Sequence, residues 1–155
     1  KMTDPFVRVH PDFRVIFTSN PAEYAGVYDT QDALLDRLIT MFIDYKDIDR
    51  ETAILTEKTD VEEDEARTIV TLVANVRNRS GDENSSGLSL RASLMIATLA
   101  TQQDIAIDGD DEDFQTLCMD ILHHSLTKCL DEKNAKSKAE KIILEECKNI
   151  DTEEK

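Results

Sequence analysis

The sequence has no tryptophan, only five phenylalanines and three tyrosines among 155 residues, so any core must be mainly aliphatic. Glycine is scarce as well. None of Gly26, Gly81, Gly87 and Gly109 begins the GxxxxGK[S/T] pattern whose backbone amides cradle a nucleotide's phosphates. No hydrophobic strand ends in Asp-Glu to hold magnesium, and no Ser–His–Asp set stands out. Cys118, Cys129 and Cys147 are an odd set without CxxC spacing, which argues against a disulfide scaffold and fits a reducing compartment. Apolar runs reach only a few residues, as in Ile39 to Ile43, so neither a transmembrane helix nor a signal peptide is expected. Positive charge is in short supply: 18 Lys and Arg stand against 33 Asp and Glu, a formal net charge of -15. Such a chain repels the phosphate backbone and anionic membrane surface, so neither nucleic acid nor membrane is expected as a partner. ATP is not excluded, because one or two well-placed arginines act locally.

What is present suits a soluble chain of about one domain's length, 40% hydrophobic and 33% charged. Lys1-Met2 opens inside a strand-like region, so the chain reads as a piece of a longer protein. Phe6–Val9 is a short strand-like run. Phe13–Thr18 is a better one, β-branched and aromatic, bounded by Pro11 and Asn20-Pro21. After a polar loop, Asp29 or Thr30 can cap a short helix over Ala33–Arg37, and Ile39–Ile43 reads as a third strand. Strand, short helix, strand is the tail end of an α/β sheet, here residues 1–45.

From Asp47 the period turns helical. Asp49 can cap a helix over Glu51–Lys58. Thr59 to Glu62 has capping-box spacing for a helix running to about Arg79, with Ala66, Ile69, Val70, Val73 and Val76 as its apolar face. A loop spans Ser80–Gly87. Ser89 then starts a helix with Leu90, Leu94 and Ala97 on one side. Asp110–Asp113 puts negative charge at the next helix start, where the dipole favours it. That helix carries a stripe of Phe114, Leu117, Cys118, Ile121, Leu122, Ser125 and Cys129. A charged helix over Ala135–Lys148 has a thinner stripe of Ala139, Ile142, Ile143 and Cys147. The expected fold class is thus α/β plus α: a sheet remnant, a helical domain over 46–130, and a charged helix or tail over 131–155.

Three residues could carry chemistry. Asn20 follows a buried-type strand, and a polar side chain there points into the crevice where open α/β sheets bind ligands. It can also be a plain turn-forming Asn-Pro. Arg37 ends the short helix, an ordinary place for a cation, or it offers a guanidinium across a subunit boundary to a γ-phosphate. Arg91 lies in the first turn of its helix, where the helix dipole disfavours a cation and a nucleotide phosphate would relieve the conflict. Other patterns fail. A calcium loop from Asp104 would put Ala106 and Gln115 at ligand positions. Cys118, His123, His124 and Cys129 have pair spacings of five residues, which do not share a helix face, so no metal site is expected.

Taken together, His10-Pro11-Asp12-Phe13-Arg14-Val15-Ile16-Phe17-Thr18-Ser19-Asn20-Pro21 resembles the sensor 1 strand of the MoxR branch of AAA+ ATPases. Glu23–Val27 with Thr30–Leu38 looks more narrowly like the gas vesicle protein N family. Gly87-Leu88-Ser89-Leu90-Arg91-Ala92 resembles the sensor 2 motif that opens a lid helix. The resemblance covers residues 8 to about 105 and fades beyond 130.

The resemblance implies the end of an AAA+ P-loop NTPase sheet followed by an all-helical lid. It makes Asn20 the sensor 1 amide, Arg37 the arginine finger and Arg91 the sensor 2 arginine. It also implies ATP and Mg2+ bound mainly by residues upstream, a homo-oligomeric and hexameric ring in the cytoplasm, and work on gas vesicle shell or accessory proteins. The sequence departs from the family in lacking the Walker elements and in showing Ser-Leu where many relatives have Ser-Pro before the sensor 2 arginine. Two rivals stay open: a MoxR-type chaperone activating a metal-binding partner, and a non-enzymatic helical module whose arginines only make salt bridges.

Overall fold

In a computed structural model of the chain, residues 8–18, 36–41, 47–81, 88–130 and 133–150 are described. Contacts divide it into two compact units, Lys1–Met41 and Phe42–Lys155. The described residues of the second unit form five helices: α1 (Ile48–Lys58), α2 (Glu63–Ser80), α3 (Leu90–Gln103), α4 (Glu112–Leu130) and α5 (Ala135–Asn149).

The helices expected after Asp47 all form, but two of their starts are set by different residues. Asp47, not Asp49, caps α1: its carboxylate accepts from the Arg50 amide at 2.9 Å. Asp49 lies inside the helix and takes an ion pair from Arg67 instead, at 2.8 Å. Glu62, not Thr59, caps α2, in a box completed by Glu65, whose carboxylate accepts from the Glu62 amide at 3.2 Å. Thr59 closes the helix before it, donating amide and hydroxyl to the Leu55 carbonyl at 2.9 and 2.7 Å. α2 stops at Gly81, whose φ of +72° is the left-handed conformation that costs glycine least. Asp111 caps α4, accepting from the Phe114 amide at 2.8 Å, with Glu112 and Asp113 in the first turn where the dipole favours them.

One aliphatic core joins all five helices. α2 gives Ala66, Ile69, Val70, Leu72, Val73 and Val76, the expected face with Leu72 added. α4 gives Phe114, Leu117, Cys118, Leu122 and Leu126, while Ile121, Ser125 and Cys129 of the expected stripe stay partly exposed. The reason is helical geometry: 3.6 residues per turn carries the buried line from Leu122 to Leu126. α5 buries its whole expected stripe and joins the same core, packing on α4 and α2. The inner face of α3 is Ala92, Ser93, Ile96, Ala97 and Ala100; of the expected side Ala97 is buried, whereas Leu90 and Leu94 are only partly so. Leu94 and Leu99 flank this face and pack against the core while only partly buried.

No strand occurs among the described residues. Phe13–Thr18 forms no hydrogen-bonded ladder, and Arg8-Val9 and Ile39–Met41 form none either. Around Pro11-Asp12 the chain turns, with the Phe13 amide donating to the His10 carbonyl at 3.0 Å. Ile16 and Ile39 are 91% and 97% exposed. A β-branched run has the propensity for a strand, but it becomes one only when a neighbour accepts its backbone hydrogen bonds. No described residue supplies that neighbour. The all-helical part of the expected fold is observed, and the sheet part is not.

Candidate functional site

Arg91 is the only charged residue of α3. It sits in the first turn, exposed, and makes no hydrogen bond or ion pair among the described residues. No acidic residue accompanies it there. Ser89 occupies the cap position, yet its hydroxyl makes no capping bond, and the first turn closes through the Ala92 amide on the Ser89 carbonyl at 2.8 Å. The start of α3 thus carries an exposed guanidinium and helix-end backbone donors, with no acidic residue in its first turn. That donor set fits a phosphate group. Beyond it Arg91, Leu94, Met95, Thr98 and Leu99 line an open hollow of about 320 Å³. The hollow is apolar apart from the arginine and Thr98, and Met95 is half exposed.

The start of α3 is fixed by residues that local sequence patterns do not single out. Leu88, one residue before the cap, is fully buried. Its carbonyl accepts from Nε of Arg77, in the last turn of α2, at 2.6 Å. The same guanidinium presents Nη2 to Oε2 of Glu51 on α1 at 3.5 Å. Glu51 is 2% and Arg77 8% exposed, so two charges are paired inside the protein. Ser80 closes the end of α2 by donating its hydroxyl to the Arg77 carbonyl at 2.6 Å. No local signal marks this group, because its members are 26 and 11 residues apart.

Of the other expected site residues, Arg37 lies in a turn at Asp36-Arg37 with its side chain exposed, in the unit Lys1–Met41. The short helix expected over Ala33–Arg37 falls largely outside the described residues, and so does Asn20. Arg91 belongs to the unit Phe42–Lys155. No group of three or more His, Cys, Asp or Glu that could hold a metal ion occurs among the described residues, so these side chains do not by themselves fit a magnesium ion.

Comparison with known proteins gives several relatives of one name. The chain is 46% identical over 117 residues to the gas vesicle ATPase GvpN of Ancylobacter aquaticus, covering 76% of this chain and 32% of that protein. It is 36% identical over 139 residues to the gas vesicle ATPase GvpN of Haloferax mediterranei, covering 89% and 38%. It is 34% identical over 140 residues to the gas vesicle ATPase GvpN1 of Halobacterium salinarum, again 89% and 38%. The chain thus spans about a third of the length of these curated relatives. No family model matches it, and no solved structure does.

Proposed function

Because the chain belongs to the gas vesicle ATPase GvpN family, we propose that it is the lid-bearing portion of an ATP-driven ring that acts in gas vesicle assembly. The observation that carries this reading is Arg91: an exposed guanidinium without a partner among the described residues, at a helix start, in the motif that resembles sensor 2. In the parent protein Arg91 reaches the phosphates of ATP held by residues outside this chain, and it couples their presence to the position of the lid. ATP and Mg2+ supply the phosphoryl-transfer chemistry when bound. This chain contributes charge and orientation.

Asn20 orients the attacking water as the sensor 1 amide. Arg37 serves a neighbouring subunit as the arginine finger, neutralising charge that develops on the γ-phosphate in the transition state. The strand-like run Phe13–Thr18 pairs with strands that lie outside this chain. The ring is a cytoplasmic hexamer, and its substrates are gas vesicle shell or accessory proteins. No helix among the described residues is long and apolar enough to cross a membrane. Alone, without a phosphate cradle, the chain turns over no ATP.

The test uses the full-length protein. Arg37→Ala should abolish hydrolysis, since a finger contributes about 10³–10⁵ in rate, while nucleotide binding stays near wild type. Mixing it with a variant lacking the phosphate-cradle lysine should restore activity in mixed rings. Rings shown to be mixed that stay inactive contradict the trans assignment.

A further inference from the structure

We infer that Arg77, held by Glu51, is a positioning residue that fixes the start of α3 and thereby aims Arg91 at the nucleotide. The inference rests on the proposed role of Arg91. It begins with a cost. Two charges buried together are seldom more stable than two apolar side chains of the same shape, because desolvation offsets their attraction. Glu51 and Arg77 are nonetheless 2% and 8% exposed. An apolar pair would fill the space but could hold nothing by direction.

The guanidinium does hold something. Nε donates to the Leu88 carbonyl at 2.6 Å while Nη2 faces the Glu51 carboxylate at 3.5 Å. Leu88 is fully buried, so side chain and carbonyl are fixed together. Three residues further along the chain stands Arg91. The usual device for fixing a helix start is missing at this end, since the Ser89 hydroxyl makes no capping bond. The Arg77 bond to Leu88 does that work from outside the helix. It links the end of α2 directly to the start of α3, across the connection after Gly81. Glu51 sets the rotation of the guanidinium from α1, so three helices determine where Arg91 is presented. A rigid planar fork can serve carboxylate and carbonyl at once in one orientation. A lysine ammonium, a point charge on a flexible stem, cannot. Preorganisation of this kind acts on ligand affinity through the group it positions.

The experiment is a mutant cycle in the full-length protein, reading affinity for a fluorescent ATP analogue and the melting temperature without nucleotide. The paired substitution Glu51→Leu with Arg77→Met removes both charges and leaves neither unpaired. It should keep the fold and weaken ATP binding roughly tenfold, within the range for residues coupled through one network. In an Arg91→Ala background the same pair should produce no further loss. Arg77→Lys keeps a cation beside Glu51 and should also weaken ATP binding with little change in melting temperature, so the test stands even where the paired variant does not fold. Normal affinity in the Arg77→Lys or the paired variant, with Arg91→Ala weakened, overturns this inference alone. The same holds for an equal loss in the presence and absence of Arg91. Normal affinity in Arg91→Ala overturns this inference together with the proposed role of Arg91.

Discussion

Arg79 Nη1 donates to Glu146 Oε1 at 2.7 Å, a bond that ties the last turn of α2 to α5 across 67 residues of sequence. Its Nη2 donates to Glu145 Oε2, also at 2.7 Å. Glu146 is buried, whereas Arg79 and Glu145 are partly open to solvent. This forked contact anchors the last helix to the core just where α2 gives way to the segment that leads to α3.

Removing that anchor should be measurable. Arg79→Met should destabilise the chain by about 1–2 kcal/mol, the cost of leaving the buried Glu146 without its charged donor, reduced because Arg79 is partly solvated. The hydrogen bond from Arg79 holds the Glu145 carboxyl below the usual carboxylate range, and the charge of Arg79 and of Lys141 adds to this. A depressed carboxylate contributes stability that is present above its unfolded value and is lost as pH falls through its folded value. Wild type should therefore lose stability below about pH 4.3, the ordinary glutamate value, and Arg79→Met should lose less over the same window. Melting curves from pH 3 to 7 measure both, and parallel curves for the two proteins would contradict the assignment.

Thiol chemistry offers a second check. Cys118 on α4 and Cys147 on α5 are both buried in the core, whereas Cys129 is partly exposed. A hydrogen bond with Cys147, together with burial, pushes the Cys118 thiol up and away from the reactive thiolate. Titration of the native chain with a disulfide reagent at neutral pH should label Cys129 first, and the other two only as the core opens. Equal rates at all three would mean that α4 and α5 do not pack against each other in this way.

How much of the fold and the site is legible in the sequence depends on the kind of interaction. Val73, Val76, Ile142 and Ile143 can be placed in the core from sequence, because apolar spacing reports a helix face directly. Caps are harder. Asp47 and Asp49 have the same chemistry two residues apart, and only the backbone path decides between them. The inner face of α3 is legible only in part: Ala97 is placed correctly, but a pattern weights Leu90 and Leu94 above Ala92 and Ala100, which are the buried ones. Glu51, Arg77 and Leu88 come from three separate segments, so nothing local pairs them. Phe13–Thr18 shows the converse: its propensity is plain, but a strand needs a partner that pattern cannot supply. Of the candidate site, Arg91 stands out because it breaks a local electrostatic rule, and its supporting residues do not because they break none.

The measurement that bears most directly on the proposed mechanism is the ATP affinity of Arg91→Ala in the full-length protein, taken with the melting temperature of the same variant without nucleotide. Losing one charge-assisted contact, roughly 1.5–3 kcal/mol, should weaken ATP binding about 10–100-fold. The nucleotide-free protein should melt no lower, and slightly higher if anything, because a cation unfavourable to the start of α3 has been removed. A variant that melts several degrees lower yet binds and hydrolyses ATP normally would make Arg91 a structural residue and contradict its role as the nucleotide sensor.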